Sequence, residues 1–214
     1  MHFHLSQLKT TDRYKLIAGL VVPRPIAFVT TLGARGQHNA APFSFFNAFS
    51  EEPPLIVLGV GANVRGEDKD TGVNIREGGE FVVNLVDEPL AEAMNICAVD
   101  FPPEISEVDV AGLDLVPSEK VAPARLKAAP VSMECVHFQT LHPGDNRYLV
   151  IGEIVVIHVA DDMIDPATLR VDRDRYAPIG RLFGGGYCRT NDRFEIRRLT
   201  VEEGMALRSE RKGD

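Results

Sequence analysis

The sequence has 214 residues, of which 23 are Lys or Arg and 31 are Asp or Glu, so its formal net charge at pH 7 is −8. With 44% hydrophobic and 25% charged residues, it has the composition of a globular protein, and we expect one domain over 1–214. The acidic balance argues against a nucleic-acid-binding protein, and no apolar run reaches the roughly 20 residues of a membrane-spanning helix. We therefore expect partners that are neither nucleic acids nor membranes.

Cysteine and histidine usage argues against a disulfide framework and against a metal site. The three cysteines, Cys97, Cys135 and Cys188, are widely spaced and form no C-x-x-C pattern. The six histidines form no H-E-x-x-H pattern and no group with carboxylates at ligand spacing. We therefore expect no metal, and the unpaired thiols indicate the cytoplasm.

Six segments rich in β-branched and aromatic residues predict strands. In chain order they are 26–31, 38–43, 55–60, 80–86, 131–141 and 148–159. The third is a continuous apolar run, so we expect it to be buried on both faces. Turn sequences at 33–36 and 142–146 would join the first two and the last two strands into hairpins.

Three short helices are predicted in the connections. The first is expected from about Thr10 to Leu20, the second begins at Asp70 or Thr71, and the third covers 88–98. This order does not alternate strand and helix as a βαβ protein does. It predicts a mainly β (α+β) protein, a β-barrel with a few short helices in the connections.

The segment that opens the second predicted helix suits a phosphate group. Arg65, Lys69 and Thr71 lie at or just before the helix start. A helix N-terminus presents unpaired N–H groups and a partial positive charge, so a lysine and a hydroxyl there favour an anion. The alternative interpretation is a solvated, capped helix start.

Two further segments could approach a ligand. Residues 41–50 contain four phenylalanines, two serines and one asparagine, a mixture that can line a flat heterocycle. The alternative is an aromatic core plug capped by Asn47. The run Gly184-Gly185-Gly186 before Tyr187 lets the backbone pass close to a ligand or to another subunit, although a flexible surface loop has the same composition.

Common catalytic and nucleotide-binding patterns are missing from the sequence. Gly59-Val60-Gly61 follows a predicted strand, but Val64 stands where the third glycine of a dinucleotide-binding fingerprint would be. There is no P-loop and no G-x-S-x-G nucleophile elbow. We predict no catalytic side chain from these patterns.

Several segments, in this order, resemble the flavin reductase-like, FMN-binding split-barrel family. They are PRPIAFVTT at 23–31, NAAPFSFFNA at 39–48, Lys69-Asp70-Thr71, DFPP at 100–103, LVIGE at 149–153 and GGGY at 184–187. The resemblance covers roughly 23–189. It implies a six-stranded Greek-key split barrel that forms a homodimer, with FMN at the subunit interface.

The resemblance also implies which residues would contact FMN. Those near the flavin ring and ribityl chain would be Arg24, Thr30, Thr31, Ser44, Phe45, Phe46, Asn47 and Ala48. Those near the phosphate would be Lys69, Asp70 and Thr71, with Arg65 close by. This set includes the residues that local chemistry selects for a phosphate.

The activity implied by the resemblance is hydride transfer from NADH or NADPH to FMN, and from there to a flavin or another acceptor. A bound flavin carries such chemistry itself, so no acid or base side chain is required. The candidate substrate residues are Asn146 and Tyr187.

One departure from the family pattern bears on the activity. Family members that use pyridine nucleotides often read G-D-H before the LVIGE strand, whereas this chain reads Gly144-Asp145-Asn146. An asparagine donates a hydrogen bond but does not titrate, and His142 is the nearby substitute. The departure favours, as an alternative, a flavoredoxin-like FMN electron carrier that serves a protein partner. A third interpretation is a split-barrel module that has lost its flavin.

Overall fold

The computed structural model describes residues 1–63, 65–102, 105–145 and 147–210, without the side chains of 208–210. Its helices are a 3-10 turn at Leu5–Gln7, α1 (Thr10–Leu20), α2 (Asp70–Gly78), α3 (Ala91–Ile96), α4 (Glu107–Val110) and α5 (Val201–Glu210). Its longer strands are β1 (Ala27–Leu32), β2 (His38–Phe43), β3 (Phe46–Glu51), β4 (Pro54–Val60), β5 (Glu80–Leu85), β8 (Val131–Gly144) and β9 (Arg147–Val159). The short ones are β6 (Leu115–Val116), β7 (Arg125–Leu126), β10 (Ile164–Asp165), β11 (Arg170–Val171), β12 (Ile179–Arg181) and β13 (Tyr187–Arg189).

The seven longer strands form one antiparallel sheet, with the order β2-β1-β5-β8-β9-β4-β3. The short strands pair two by two as β6-β7, β10-β11 and β12-β13. The predicted mainly β fold and both predicted hairpins are confirmed. Among the described helices, none is long and apolar enough to cross a membrane.

The sheet has seven strands within the described residues, where the sequence predicted six. The additional strand is β3, formed by part of the aromatic segment 41–50, to which the sequence analysis assigned no strand beyond residue 43. Its backbone pairs with β4 at the edge of the sheet, with a register shift between Ala48 and Ser50. Pairing satisfies backbone groups that a loop among phenylalanines would leave without partners. Closure as a Greek-key split barrel stays a prediction.

Burial corrects the expectation for the third predicted strand. In β4, Ile56, Leu58 and Val60 are buried while their neighbours are only partly so, which gives one core face rather than two. Consecutive residues are buried, so that both faces are covered, in β1 at the second position in the sheet, in its neighbour β5 and in the first part of β8. Strand β1 is covered on both sides because two separate hydrophobic clusters meet at it.

One cluster lies on one side of the sheet, around Val29, Phe81 and Val150. The other lies on the opposite side of β1, where Phe28 packs with Met94 of α3 and with Leu126. Since successive side chains of a strand point to opposite faces, Val29 and Phe28 divide between the two clusters.

The helices begin and end close to the predicted positions, but their caps differ. The N-cap residues of α1 and α2 are Lys9 and Lys69, and neither receives a side-chain capping bond. Helix α2 ends at Gly79, whose φ of 73° lies in the left-handed region that favours glycine. Helix α3 covers only Ala91–Ile96, because the preceding residues form a turn in which Asp87 accepts a hydrogen bond from the Leu90 N–H.

Candidate functional site

The predicted phosphate residues meet in one cavity at the N-terminus of α2. The cavity has a volume of about 130 Å³. Arg65, Lys69, Asp70 and Thr71 all line it, and Asn39 and Ala41 of β2 form the opposite wall. The hairpin β1-β2 packs beside α2, and this packing brings together residues that are about 30 positions apart in the sequence.

The charges in this cavity differ from what the sequence suggested. Lys69 Nζ lies 2.8 Å from Asp100 Oδ1, and Arg65 Nε lies 3.0 Å from Glu67 Oε2. The sequence argument treated both cations as local positive charge, but in this structure each is paired with a carboxylate. An incoming anion therefore has to compete with Asp100 for Lys69.

Further carboxylates line the same cavity. Asp68 is held by Arg76, with 2.7 Å between Oδ2 and Nη2. Asp70 and Glu107 lie outside the described ion pairs. Burial raises the pKa of the Glu107 carboxyl above its usual value, which makes its neutral form easier to populate beside an anion.

A buried hydrogen-bond network links β1 to this cavity. Thr71 is 1% exposed, and its Oγ1 donates to Asn39 Oδ1 at 3.0 Å. Thr31 Oγ1 lies 3.4 Å from the same oxygen and accepts a hydrogen bond from Asn74 Nδ2 at 2.9 Å. Asn39 is therefore a site residue that the sequence argument did not select. The period of two along β2, which puts Asn39 and Ala41 on one face, could have identified it.

Thr30, predicted to lie near the flavin, faces the other way. It is fully buried, and its Oγ1 donates to the carbonyl oxygen of Ala124 at 2.6 Å. The two neighbouring threonines point to opposite faces of β1, so Thr31 connects to the cavity and Thr30 anchors the segment before β7.

The remaining flavin candidates lie around a second, more apolar cavity of about 420 Å³. Arg24, Phe46, Asn47 and Ala48 contribute to its wall. A neighbouring depression of about 240 Å³ adds Ser44 and Phe45 and shares three of these residues. The structure thus brings all six of these candidates together.

Arg24 is the most buried charged group of this second site, with 6% exposure. Its Nη1 donates to the carbonyl oxygens of Ala18 at 2.6 Å and Val21 at 2.8 Å, at the end of α1. Its Nη2 donates to Leu182 O at 3.2 Å, and its Nε lies 3.3 Å from Ser44 Oγ. A cation at a helix C-terminus is favourable because the last carbonyls carry a partial negative charge. Arg24 thereby fixes the position at which the 44–48 segment begins.

The two cavities share no lining residue, yet they are close along the chain. Ala41 lines the first, and Ser44, three residues later, lines the depression beside the second. Three extended residues span at most about 11 Å. The first cavity and the depression beside the second are therefore close in space.

The two candidate substrate residues do not join this arrangement. Asn146 lies outside the described residues. Tyr187, in β13, packs against the second hydrophobic cluster, and Arg181 Cζ lies 4.5 Å from its ring centroid. The glycine run before it forms the tight turn between β12 and β13, with a φ of 64° at Gly184. His142 contacts the edge of the Tyr148 ring, at 5.1 Å between centroids.

Comparison with known proteins identifies the family. The model of the flavin reductase like domain matches residues 19–180, and the chain belongs to this family. The resemblance inferred from the sequence is confirmed.

Solved structures agree with this assignment. The chain is 43% identical to 2-nitrobenzoate 2-nitroreductase of Pseudomonas fluorescens, with a TM-score of 0.87 over 94% of this chain and 98% of that one. It is 36% identical to nitrilotriacetate monooxygenase component B of Bacillus cereus, with a TM-score of 0.85 over 92% of this chain and 98% of that one. Flavoredoxin of Desulfovibrio vulgaris shares the fold at 17% identity, with a TM-score of 0.74 over 94% of this chain and 100% of that one.

Proposed function

We propose that this protein is an FMN-binding oxidoreductase of the flavin reductase type. The observation that carries the proposal is the pair of neighbouring cavities. One contains the cation and hydroxyl that suit a phosphate, and the other contains the apolar wall that suits a flat ring. Family membership supports the same cofactor.

The residues present fit FMN at both ends. Lys69 and Thr71 stand at the start of α2, where the first N–H groups have no intrahelical acceptor. Phe46 and Ala48 give the second cavity an apolar wall, with Asn47 as a polar group beside them. When bound, FMN would supply the redox chemistry. The protein would orient the cofactor and exclude water from its ring.

The proposed reaction is hydride transfer from NADH or NADPH to bound FMN, and from there to a second acceptor. The test is the visible absorbance spectrum of the purified protein with added FMN under nitrogen, before and after each nucleotide. We expect a flavin spectrum that bleaches with NADH or NADPH. A protein that neither carries nor binds FMN would contradict the proposal.

A second candidate function concerns the acceptor. The 43% identity to 2-nitrobenzoate 2-nitroreductase favours a nitroaromatic acceptor over a free flavin. Oxidation of the reduced protein by 2-nitrobenzoate and by free FMN, compared at equal concentrations, separates the two. If neither oxidises it and only dithionite reduces it, the flavoredoxin-like electron carrier that Asn146 favours is the better description.

The proposed assembly is a homodimer of single-domain subunits over 1–214, each a split barrel, with FMN at the subunit interface. Its support is a patch of exposed apolar side chains beside the second cavity. Tyr14 and Ile17 of α1 are 57% and 43% exposed, and Phe45 next to them is 45% exposed. Contiguous apolar patches of this kind mark interaction sites. We also propose a cytoplasmic location, because the three cysteines are free thiols.

A further inference from the structure

We propose that the carboxyl of Glu107 takes up a proton from water when the phosphate of FMN enters the first cavity, at the N-terminus of α2. Binding of the cofactor and protonation of Glu107 are then linked, so FMN binds less tightly as the pH rises. The inference rests on the proposed function, because it concerns the phosphate of FMN. It adds a protonation step that family membership does not supply.

The charges of the cavity wall oppose a phosphate. Among the described residues that line the first cavity, two carry a cation and five carry a carboxylate, namely Arg65 and Lys69 against Glu67, Asp68, Asp70, Asp100 and Glu107. A phosphate monoester adds nearly two further negative charges at pH 7. The cavity measures only about 130 Å³, so an anion inside it lies near all of these side chains. Like charges this close favour protonation of one of the acids.

The ion pairs show which acid is least held in its charged form. The carboxylates of Glu67, Asp68 and Asp100 each have a cation at 2.7–3.0 Å. Asp70 and Glu107 lie outside the described ion pairs. Asp70 is exposed and stands in the first turn of α2, where the partial positive charge of the helix stabilises the ionised form. Glu107 has neither a cation nor full solvation.

The carboxylate of Glu107 faces the cavity. It interacts with the side chain of Asn39 and with the charge of Asp70, and both of these residues belong to the cavity wall. Asn39 in turn accepts a hydrogen bond from the Thr71 hydroxyl at 3.0 Å. Glu107 and the proposed phosphate residue Thr71 therefore share a neighbour.

The surroundings of Glu107 already favour its neutral form. Burial raises the pKa of the Glu107 carboxyl, and the charge of Asp70 adds to this rise. Hydrogen bonding with Asn39 and with backbone N–H groups opposes the rise without cancelling it. A phosphate placed at the same wall raises the pKa further, because it disfavours a second anion beside it.

The other titratable groups next to Glu107 keep their charge state above pH 6.5. Cys97 of α3 lies with its Sγ 3.5 Å from the Glu107 carbonyl oxygen, and burial raises the pKa of this thiol to about 12. His38 of β2 lines an adjoining depression with Glu107, and burial lowers the pKa of this ring below 6.5. Asp100 is the competing proton acceptor, since the phosphate takes Lys69 away from it.

The experiment is calorimetric titration of the unmodified protein with FMN at pH 7.5, in buffers that differ in their enthalpy of ionisation. The difference in heat between the buffers gives the number of protons exchanged. Phosphate monoesters lose their second proton at about pH 6, so FMN itself brings almost none. We expect net uptake of about half a proton or more per FMN bound. No uptake, or a net release, would overturn the inference.

Two variants assign the proton to its residue. We expect the FMN affinity of Glu107→Gln, relative to that of the unmodified protein, to grow at least about fivefold from pH 6.5 to 8.5. Asp109→Asn is the matched control, because Asp109 is exposed on the same helix and lies outside the cavity wall. Its relative affinity should be the same at both pH values. A constant ratio for Glu107→Gln is what a merely structural effect gives, and it would overturn the inference.

Riboflavin and Asp100→Asn complete the test. Riboflavin has no phosphate, so Glu107→Gln should change its affinity by the same factor at both pH values. A pH-dependent factor for riboflavin would overturn the inference. Asp100→Asn should keep the proton uptake, and its loss in that variant would move the proton to Asp100 and overturn the assignment to Glu107.

The outcomes distinguish this inference from the proposed function. A protein that binds FMN without taking up a proton keeps the proposed function and loses the inference. A protein that does not bind FMN loses both, and the binding measurement alone decides this before any proton is counted.

Discussion

Lys69 is the residue on which the phosphate hypothesis depends most, and the structure places it against an acid. Its ion pair with Asp100 is about one quarter exposed, so solvent screens it and its contribution to stability is modest, about 1 kcal/mol or less. A phosphate carries nearly two negative charges and several acceptor oxygens, and it also meets the N-terminus of α2. The phosphate should therefore displace Asp100.

The first prediction tests the phosphate residues directly. Lys69→Ala combined with Thr71→Ala should weaken FMN binding at least tenfold, because it removes one cation and one buried hydroxyl. A tenfold loss corresponds to about 1.4 kcal/mol. Quenching of FMN fluorescence measures the affinity, and Lys127→Ala serves as the control at an exposed lysine. Unchanged affinity in the double variant would show that the FMN phosphate does not bind in this cavity.

The second prediction concerns the competing acid. Asp100→Asn should tighten FMN binding by about fivefold, because Lys69 no longer has to leave a carboxylate; this corresponds to about 1 kcal/mol. The same fluorescence titration measures it, with Asp114→Asn as the control, since Asp114 pairs with Lys127 at the surface. Weaker binding in Asp100→Asn would show that Asp100 supports the site instead of opposing it.

At the scale of the elements, the segment 118–124 has no regular secondary structure. Side chains of the sheet fix its position by accepting hydrogen bonds from its backbone N–H groups. Glu134, fully buried in β8, accepts hydrogen bonds from the N–H groups of Glu119 and Lys120, both at 2.6 Å. At the far end, the Ala124 N–H donates to His38 Nε2 at 3.2 Å. The carbonyl oxygen of Ala124 also accepts the hydrogen bond of the Thr30 hydroxyl, so β1 and β2 both hold this end of the segment.

The third prediction follows from the protonation of His38. Its Nε2 accepts a hydrogen bond only in the neutral ring, and burial lowers the pKa of His38 below its usual value of about 6.5. Below pH 6.5 the unfolded chain therefore binds more protons than the folded one, and the free energy of unfolding should fall as the pH falls.

Thermal unfolding between pH 7.5 and 5.5 measures this effect. His38→Gln keeps an acceptor and does not titrate, so its melting temperature should fall less over this range than that of the unmodified protein. Parallel curves for the two proteins would show that His38 does not contribute to the pH dependence.

The fourth prediction tests the packing between β9 and β5. A Cβ added to Gly152 would lie 2.9 Å from Cε1 of Phe81, which is fully buried in the same hydrophobic cluster as Val29 and Val150. Gly152→Ala should therefore lower the free energy of unfolding by about 1–3 kcal/mol through overpacking. Gly78→Ala is the matched control, because nothing lies within 4 Å of an added Cβ there. Chemical denaturation of both variants measures the difference, and equal stabilities would contradict the packing argument.

At the scale of the whole molecule, the segment before β1 is joined to the segment around β12 beside the second cavity. Backbone hydrogen bonds connect Arg24 and Arg181 in both directions, at 3.0 and 2.8 Å. The Arg24 side chain adds a bond to Leu182, one to Ala18 of α1 and one to Val21, the C-cap of that helix. The wall of the cavity combines residues 23–26, 46–48 and 56, 85–86, 133 and several from 176–190, so its shape depends on contacts between distant parts of the chain.

The fifth prediction tests the proposed dimer. Light scattering should give twice the mass of one chain. Ile17→Glu should shift the protein toward the monomer, because it puts a charge into the exposed apolar patch beside the cavity. Lys15→Gln, on the same helix and already solvated, should leave the mass unchanged. A monomer for the unmodified protein would contradict the proposed assembly.

Local sequence patterns were sufficient for most of the secondary structure and for the phosphate candidates. The hairpin β1-β2 and the helix α2 follow from β-branched runs, turn residues and Gly79, all of which act within a few residues. Lys69 and Thr71 could be selected because a helix N-terminus has the same chemistry wherever it occurs. The ordered set of motifs also identified the family.

The tertiary structure decided what depends on contacts between distant residues. Only the packed sheet shows that β3 pairs at its edge, that β1 is buried on both faces, and that Thr30 turns away from the cavity. The partners of the charged side chains are likewise visible only in the tertiary structure. Lys69 meets Asp100 from 31 positions away, and Arg24 meets Leu182 from 158 positions away. Electrostatic pairing and burial depend on distance in space, which a linear pattern does not contain.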